Sequence, residues 1–367
     1  MNKFKLGCIL VSSGMGATII VPPIVLAAVE GRTYHLKNPD GSLAIDINLS
    51  NKGQMTYSVR KNNKSIVDSS ILGMSFTNDG KTYDFSKDLT FVRATSSRKH
   101  FSYDCPSGKV SHVDVDYNEK VITTKIDDIF MDVTFRALND GYGFQYSFYA
   151  EEDSYVKQLT WQNEFTEFNI PTNSKTYGMD YEANRKEDDD HYIDYYSYET
   201  HYDIRDFTDI ETDKKVSLPF GYETNGYYSV VTESGLIGSG YHGSFLQKDK
   251  NDILATVHAP AGGEKPDYTV SLPFASPWRV SSVGSYATAF ETTIVEDIQG
   301  DIEEYKQQLN ETYDFVSQDN PKIVELVKYF LEMYKNEKNK NYYFIIIVTW
   351  AIYIVHSLLI WSILYIK

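Results

Sequence analysis

Between residues 32 and 298 the hydrophobic positions recur in short alternating runs, with almost no helical period. Leu43-Ala44-Ile45-Asp46-Ile47-Asn48-Leu49 alternates strictly, and so does Met55-Thr56-Tyr57-Ser58-Val59. Val113-Asp114-Val115-Asp116-Tyr117 and Phe144-Gln145-Tyr146-Ser147-Phe148 repeat the pattern. A two-residue period puts one set of side chains on each face of a strand, so each run predicts a half-buried β-strand. Turn residues separate the runs at Pro39-Asp40-Gly41, Asn51-Lys52-Gly53, Asn78-Asp79-Gly80 and Asn139-Asp140-Gly141-Tyr142-Gly143. Many strands at this spacing predict a sandwich or barrel, and the length of the region favours a large two-sheet body.

The pattern changes after residue 300. Ile323, Leu326, Val327, Phe330, Leu331 and Tyr334 follow Pro321 at helical spacing. They make residues 299–340 a helical linker. Residues 342–366 are apolar without a charge, with Tyr342, Tyr343, Trp361 and Tyr365 near the ends. That length and those interfacial aromatics predict a transmembrane helix. At the other end, Lys3 and Lys5 precede an apolar stretch that closes on Ala27 and Ala28, so residues 1–28 read as an export signal. An uncleaved anchor is the rival reading.

Composition narrows the function. The formal net charge of −16 opposes nucleic acid phosphates, and no basic stripe offsets it. The balance suits a soluble extracellular protein, or one holding a hard cation such as calcium through carboxylates, and does not choose between them. Of the two cysteines, Cys8 lies in the leader, so Cys105 would remain a lone structural thiol. Tyr is abundant at 30 residues, which favours strands first and a sugar-stacking surface second.

Taken in order, several phrases resemble the N-terminal domain of glycoside hydrolase family 97. They begin with Asn38-Pro39-Asp40-Gly41-Ser42-Leu43 and Ser70-Ile71-Leu72-Gly73-Met74. Phe135-Arg136-Ala137-Leu138-Asn139-Asp140-Gly141, Glu164-Phe165-Thr166-Glu167-Phe168 and Gly226-Tyr227-Tyr228-Ser229 follow. The most distinctive is Ser276-Pro277-Trp278-Arg279-Val280. The resemblance implies that residues 29–298 form a mostly β, galactose mutarotase-like β-supersandwich. In the family this domain packs on a (β/α)8 barrel that hydrolyses α-glucosides or α-galactosides with calcium. Eight βα units need about 250 residues, more than follow residue 298. The expectation is therefore a carbohydrate-binding accessory domain with no catalytic residue. A calcium-dependent α-glycosidase whose barrel is encoded separately is one alternative, and a membrane-anchored structural protein is another.

The candidate sites follow from the same resemblance. Glu199 aligns with a glutamate that reaches calcium in relatives, although one carboxylate alone binds calcium weakly. Tyr195, Tyr196, Tyr198 and Tyr202 around it would present rings to a sugar, while Tyr177 stands near the place of a tryptophan in relatives. Asp188, Asp190 and Glu199 fall at calcium-loop spacing, but Tyr192 and Ile193 replace a ligand oxygen and the required glycine, so the run reads as a solvated acidic loop. Trp278 and Arg279 read as packing residues. Glu164, Glu167 and Glu233 match the family pattern without establishing an acid–base pair. Gly238-Ser239-Gly240-Tyr241-His242-Gly243 satisfies a dinucleotide-binding pattern but lies among strands, so a turn cluster explains it.

Overall fold

The computed structural model describes residues 31–104, 110–181, 202–236, 243–258 and 269–300. The chain divides into units of residues 1–299 and 300–367, and only the first is described below. The export signal, the linker helix and residues 342–366 lie outside the described residues. Among the described residues no helix is long and apolar enough to cross a membrane.

Antiparallel strands form one large sheet and three small ones. The first small sheet is a meander of β1 (Arg32–Lys37), β2 (Leu43–Leu49), β3 (Met55–Lys61) and β4 (Lys64–Ile71). The second contains β5 (Met74–Asn78), β6 (Lys81–Asp84), β11 (Gln158–Glu164) and β20 (Thr269–Ser271). The third contains β12 (Glu167–Phe168), β15 (Lys215–Val216), β18 (Ser244–Lys248) and β19 (Leu254–His258).

The ten-stranded sheet starts at its edge with β7 (Thr90–Asp104), β8 (His112–Ile126), β9 (Ile129–Leu138) and β10 (Gly141–Ala150). It continues through β22 (Trp278–Gly284), β17 (Tyr227–Ser234), β16 (Phe220–Thr224), β13 (Lys175–Met179) and β14 (Tyr202–Asp206). A short β21 (Phe274–Ala275) also pairs with β10.

The alternation seen in the sequence is the packing itself. Every second residue of β2 is buried, from Leu43 to Leu49. Each small sheet sends an aromatic ring against β10. Tyr57 of β3 lies 5.1 Å from Phe144, Phe76 of β5 lies 4.8 Å from Phe148, and Phe168 of β12 lies 6.3 Å from Phe144. Large buried rings contribute most per residue to a core of this kind. The hairpin between β5 and β6 turns on Asp79 and Gly80, both at positive φ, which is the geometry that matches the twist of its strands.

The outer face of the large sheet is covered in its middle by residues 285–298. Two short helices, Tyr286–Glu291 and Ile294–Asp297, lie here, ahead of the helix expected from the sequence. The first has no room for a helical period to show, and local capping sets it. The Ser285 hydroxyl accepts from the Thr288 backbone, and Thr288 returns the bond to the Ser285 N–H. Ile294 and Ile298 then close over Val280, Trp278 and Tyr117 in a second, smaller core. The Arg136 guanidinium lies 4.8 Å from the Tyr117 ring and 4.5 Å from the Trp278 ring, and donates to the Ile298 carbonyl at 2.5 Å.

Glycine makes this approach possible. A Cβ on Gly141 would lie 2.2 Å from the Ser281 carbonyl oxygen and 2.6 Å from Ile294 Cδ1. The carbonyl belongs to a paired strand and has nowhere to move. Gly141→Ala is therefore expected to lower stability by about 1–3 kcal/mol, the usual range for overpacking, read as a lower urea midpoint at unchanged slope.

Candidate functional site

The most concentrated group of ionisable side chains lies inside the sandwich, where the large sheet meets the second and third small sheets. Arg279 of β22 and Glu233 of β17 are cross-strand partners, so both side chains point to the same, inner face. Glu164 ends β11 and His258 ends β19, which brings each up from an opposing sheet. Arg279 donates from Nε to Glu164 Oε1 at 3.0 Å and from Nη2 to Oε2 at 2.7 Å, a two-pronged contact. Its remaining Nη1 donates to Glu233 Oε1. The His258 Nε2 lies within hydrogen-bond distance of Glu164 Oε2, at 2.5 Å.

The surroundings of the group are equally complete. Glu233 accepts from the Ser244 backbone at 3.0 Å and from its hydroxyl at 2.9 Å. Trp161 meets the His258 ring edge-on at 4.9 Å. The Glu164 and His258 side chains are fully buried, and Glu233 is 7% exposed. Burial alone would raise the Glu164 carboxyl, but the Arg279 charge and the hydrogen bond from His258 outweigh it and hold the group well below the usual carboxylate range. Burial, reinforced by Glu164, pushes the neighbouring Tyr146 phenol up. That phenol is tied to the Thr166 hydroxyl at 2.7 Å and accepts from Gly73 N.

This arrangement decides several readings made from the sequence. Glu164 and Glu233 are brought together, as partners of one arginine. Glu167 stands apart, its carboxylate accepting from Ile71 N at 2.9 Å. Arg279 and Trp278 are packing residues on opposite faces of β22. Phe245 and Leu246, after the glycine pattern at 238–243, belong to strand β18, so the helix that a dinucleotide site needs is replaced by a strand. His258 escaped the sequence reading because its partners lie 94 or more positions away and no motif contains it.

Glu199, Tyr195, Tyr196 and Tyr198 lie outside the described residues, as do Asp188, Asp190 and Cys105. Tyr202 opens β14. Among the described residues no group of three or more His, Cys, Asp or Glu is placed to hold a metal ion. Tyr177 is half-buried on the outer face of β13, and its hydroxyl donates to Glu223 Oε2 at 3.2 Å.

Such a body, a large sheet faced by three small ones and fastened by a buried ionic group, is a β-sandwich domain. The chain belongs to the glycosyl-hydrolase 97 N-terminal family, whose model matches residues 36–299. It is similar in fold to a family 97 glycoside hydrolase from a Pseudoalteromonas species. That enzyme is known in complex with panose and with acarbose, at 19% identity and a TM-score of 0.59 in both structures, over 71% of this chain. A β-arabinopyranosidase is similar at 23% identity and a TM-score of 0.58 over 68% of this chain. The chain spans 37% and 40% of the lengths of these enzymes. No curated protein matches it.

Removing the Glu164 charge leaves a buried guanidinium short of its main partner. Glu164→Gln is expected to destabilise by about 3–5 kcal/mol, measured by urea unfolding at neutral pH. The same carboxyl sets a pH dependence. Because its folded pKa lies below the ordinary 4.5, its contribution is complete above that value and is lost as pH falls below it. Wild-type stability should drop on acidification below about pH 4.5, and the Gln variant should show a shallower drop.

Proposed function

We propose that the chain acts as the non-catalytic accessory domain of a family 97-type glycoside hydrolase, contacting α-glucosides or α-galactosides without cleaving them. The observation that carries this reading is the commitment of Glu164 and Glu233 to Arg279. Glycoside hydrolysis uses two carboxyl groups flanking the scissile bond, one to donate a proton and one to attack or activate water. Two carboxylates bound to the same buried guanidinium are spent as its counter-ions instead of flanking a glycosidic bond. The family match over residues 36–299 supports the carbohydrate partner. The ten-stranded sheet faced by three smaller ones supports the finer reading of the fold as a galactose mutarotase-like supersandwich.

A second reading is favoured by one observation, the 37% share of the relatives' length that the chain spans. In it the chain is one piece of a calcium-dependent α-glycosidase whose barrel is supplied separately, and Glu199 adds a ligand to calcium there. Export through residues 1–28 to the extracellular face belongs to both readings, as does membrane attachment through residues 342–366.

Hydrolysis separates catalysis from accessory binding. The full chain, incubated with p-nitrophenyl α-glucoside and α-galactoside with and without calcium, should release nitrophenol no faster than buffer. Turnover that disappears in Glu233→Gln while the protein stays folded would contradict the accessory reading.

A further inference from the structure

Away from the covered middle, none of the described residues outside the short helix after β22 packs over the outer face of the large sheet where β14, β13, β16 and β17 lie side by side. Strand register places Ile204, Tyr177, Gly221 and Val230 in one cross-strand row. The adjacent row on the same face contains Lys175, Glu223 and Tyr228. The short helix after β22 adds Tyr286, which meets the Tyr228 ring edge-on at 5.3 Å and is 60% exposed. Tyr177 and Tyr228 lie 6.2 Å apart, tilted by 38°. Gly221 has no side chain, so the strip stays low between Tyr177 and Val230.

The polar groups on this strip converge on Glu223. The Tyr177 hydroxyl donates to its carboxylate at 3.2 Å, which takes one of about four acceptor positions that a carboxylate offers. Burial together with this carboxylate pushes Tyr177 up to about 12, and Tyr228 is raised by the same two causes. Lys175 stands opposite Glu223 across the strands as a donor.

We propose that Tyr177, Tyr228 and Tyr286, with Glu223 and Lys175, form a binding site for a neutral pyranoside unit of an oligosaccharide. An exposed phenol ring presents a flat apolar face to the C–H side of a sugar, and its hydroxyl serves the polar rim. The carboxylate accepts from vicinal hydroxyls, and it repels phosphate and other anions. A sugar is the ligand that uses both properties at once. This inference rests on the carbohydrate reading above and gives it a place on the described surface.

Isothermal titration of the full chain with panose and with maltotriose tests it. Saturable binding is expected for wild type. Tyr286→Ala and Glu223→Gln should each weaken it by about tenfold or more, while Tyr286→Phe, which keeps the ring, should stay within about threefold. Unfolding midpoints check that each variant is folded. If Glu223→Gln fails to fold, the Tyr286 pair decides, because that side chain is mostly in water. Wild-type binding that all variants retain overturns this site and leaves the carbohydrate reading standing, as it would if the strip instead packed on a protein. Absence of binding by wild type to either sugar overturns both.

Discussion

A charge taken out of water destabilises a fold by several kcal/mol unless partners surround it, and Arg279 is the largest fully buried side chain among the described residues. Its guanidinium meets a carboxylate from the opposing layer and another from the neighbouring strand, and His258 closes the group from a third sheet. Arg279 thereby joins the ten-stranded sheet to the second small sheet, and His258 ties in the third through Glu164. Apolar packing supplies most of the attraction between the layers, but hydrophobic cores also repack when volume and patterning are kept. A two-pronged arginine–carboxylate contact tolerates much less displacement. The group ties the inner face of β22 and β17 to the ends of β11 and β19.

The functional consequence is an inversion of what paired glutamates in a hydrolase-related chain suggest. Glu164 and Glu233 are acidic residues in family-like positions, yet each is an internal counter-ion. Chemistry at a sugar would need carboxylates that face solvent and a substrate. On the outer strip of β13, β16 and β17 the groups that face solvent include tyrosines, and Glu223 among them accepts from a phenol instead of an arginine. Recognition is within reach of such a surface, and proton transfer by the buried pair is not.

Much of the fold was legible in the sequence because strand burial is a local, two-residue signal. The run from Leu43 to Leu49 is strand β2 to the residue, and the Asp79-Gly80 pair forms the tight turn that its residue types favour. The ionic group was only half legible. Arg279 stood out beside Trp278 as a packing residue, but its partners are 115 and 46 positions away, so nothing in the linear order says which carboxylate it meets. His258 carried no signal at all, and the helix capped by Ser285 is too short for any period. The abundance of tyrosine was read correctly as a strand signal first. Tyr57, Tyr142, Tyr146 and Tyr222 are all fully buried, whereas other described rings such as Tyr155 and Tyr286 are exposed. Which tyrosines fall in which group could not be read without strand register.

The central claim is that Arg279 and Glu164 act on stability as one unit across the layers. A double-mutant cycle on Glu164→Gln and Arg279→Met, followed by urea unfolding at neutral pH, measures this directly. The account predicts that the double variant loses less than the sum of the single losses, by about 2 kcal/mol or more, because removing both charges leaves neither one stranded. Losses that add to within about 0.5 kcal/mol would show that the two residues stabilise the domain independently, and the tie between layers would have to lie elsewhere.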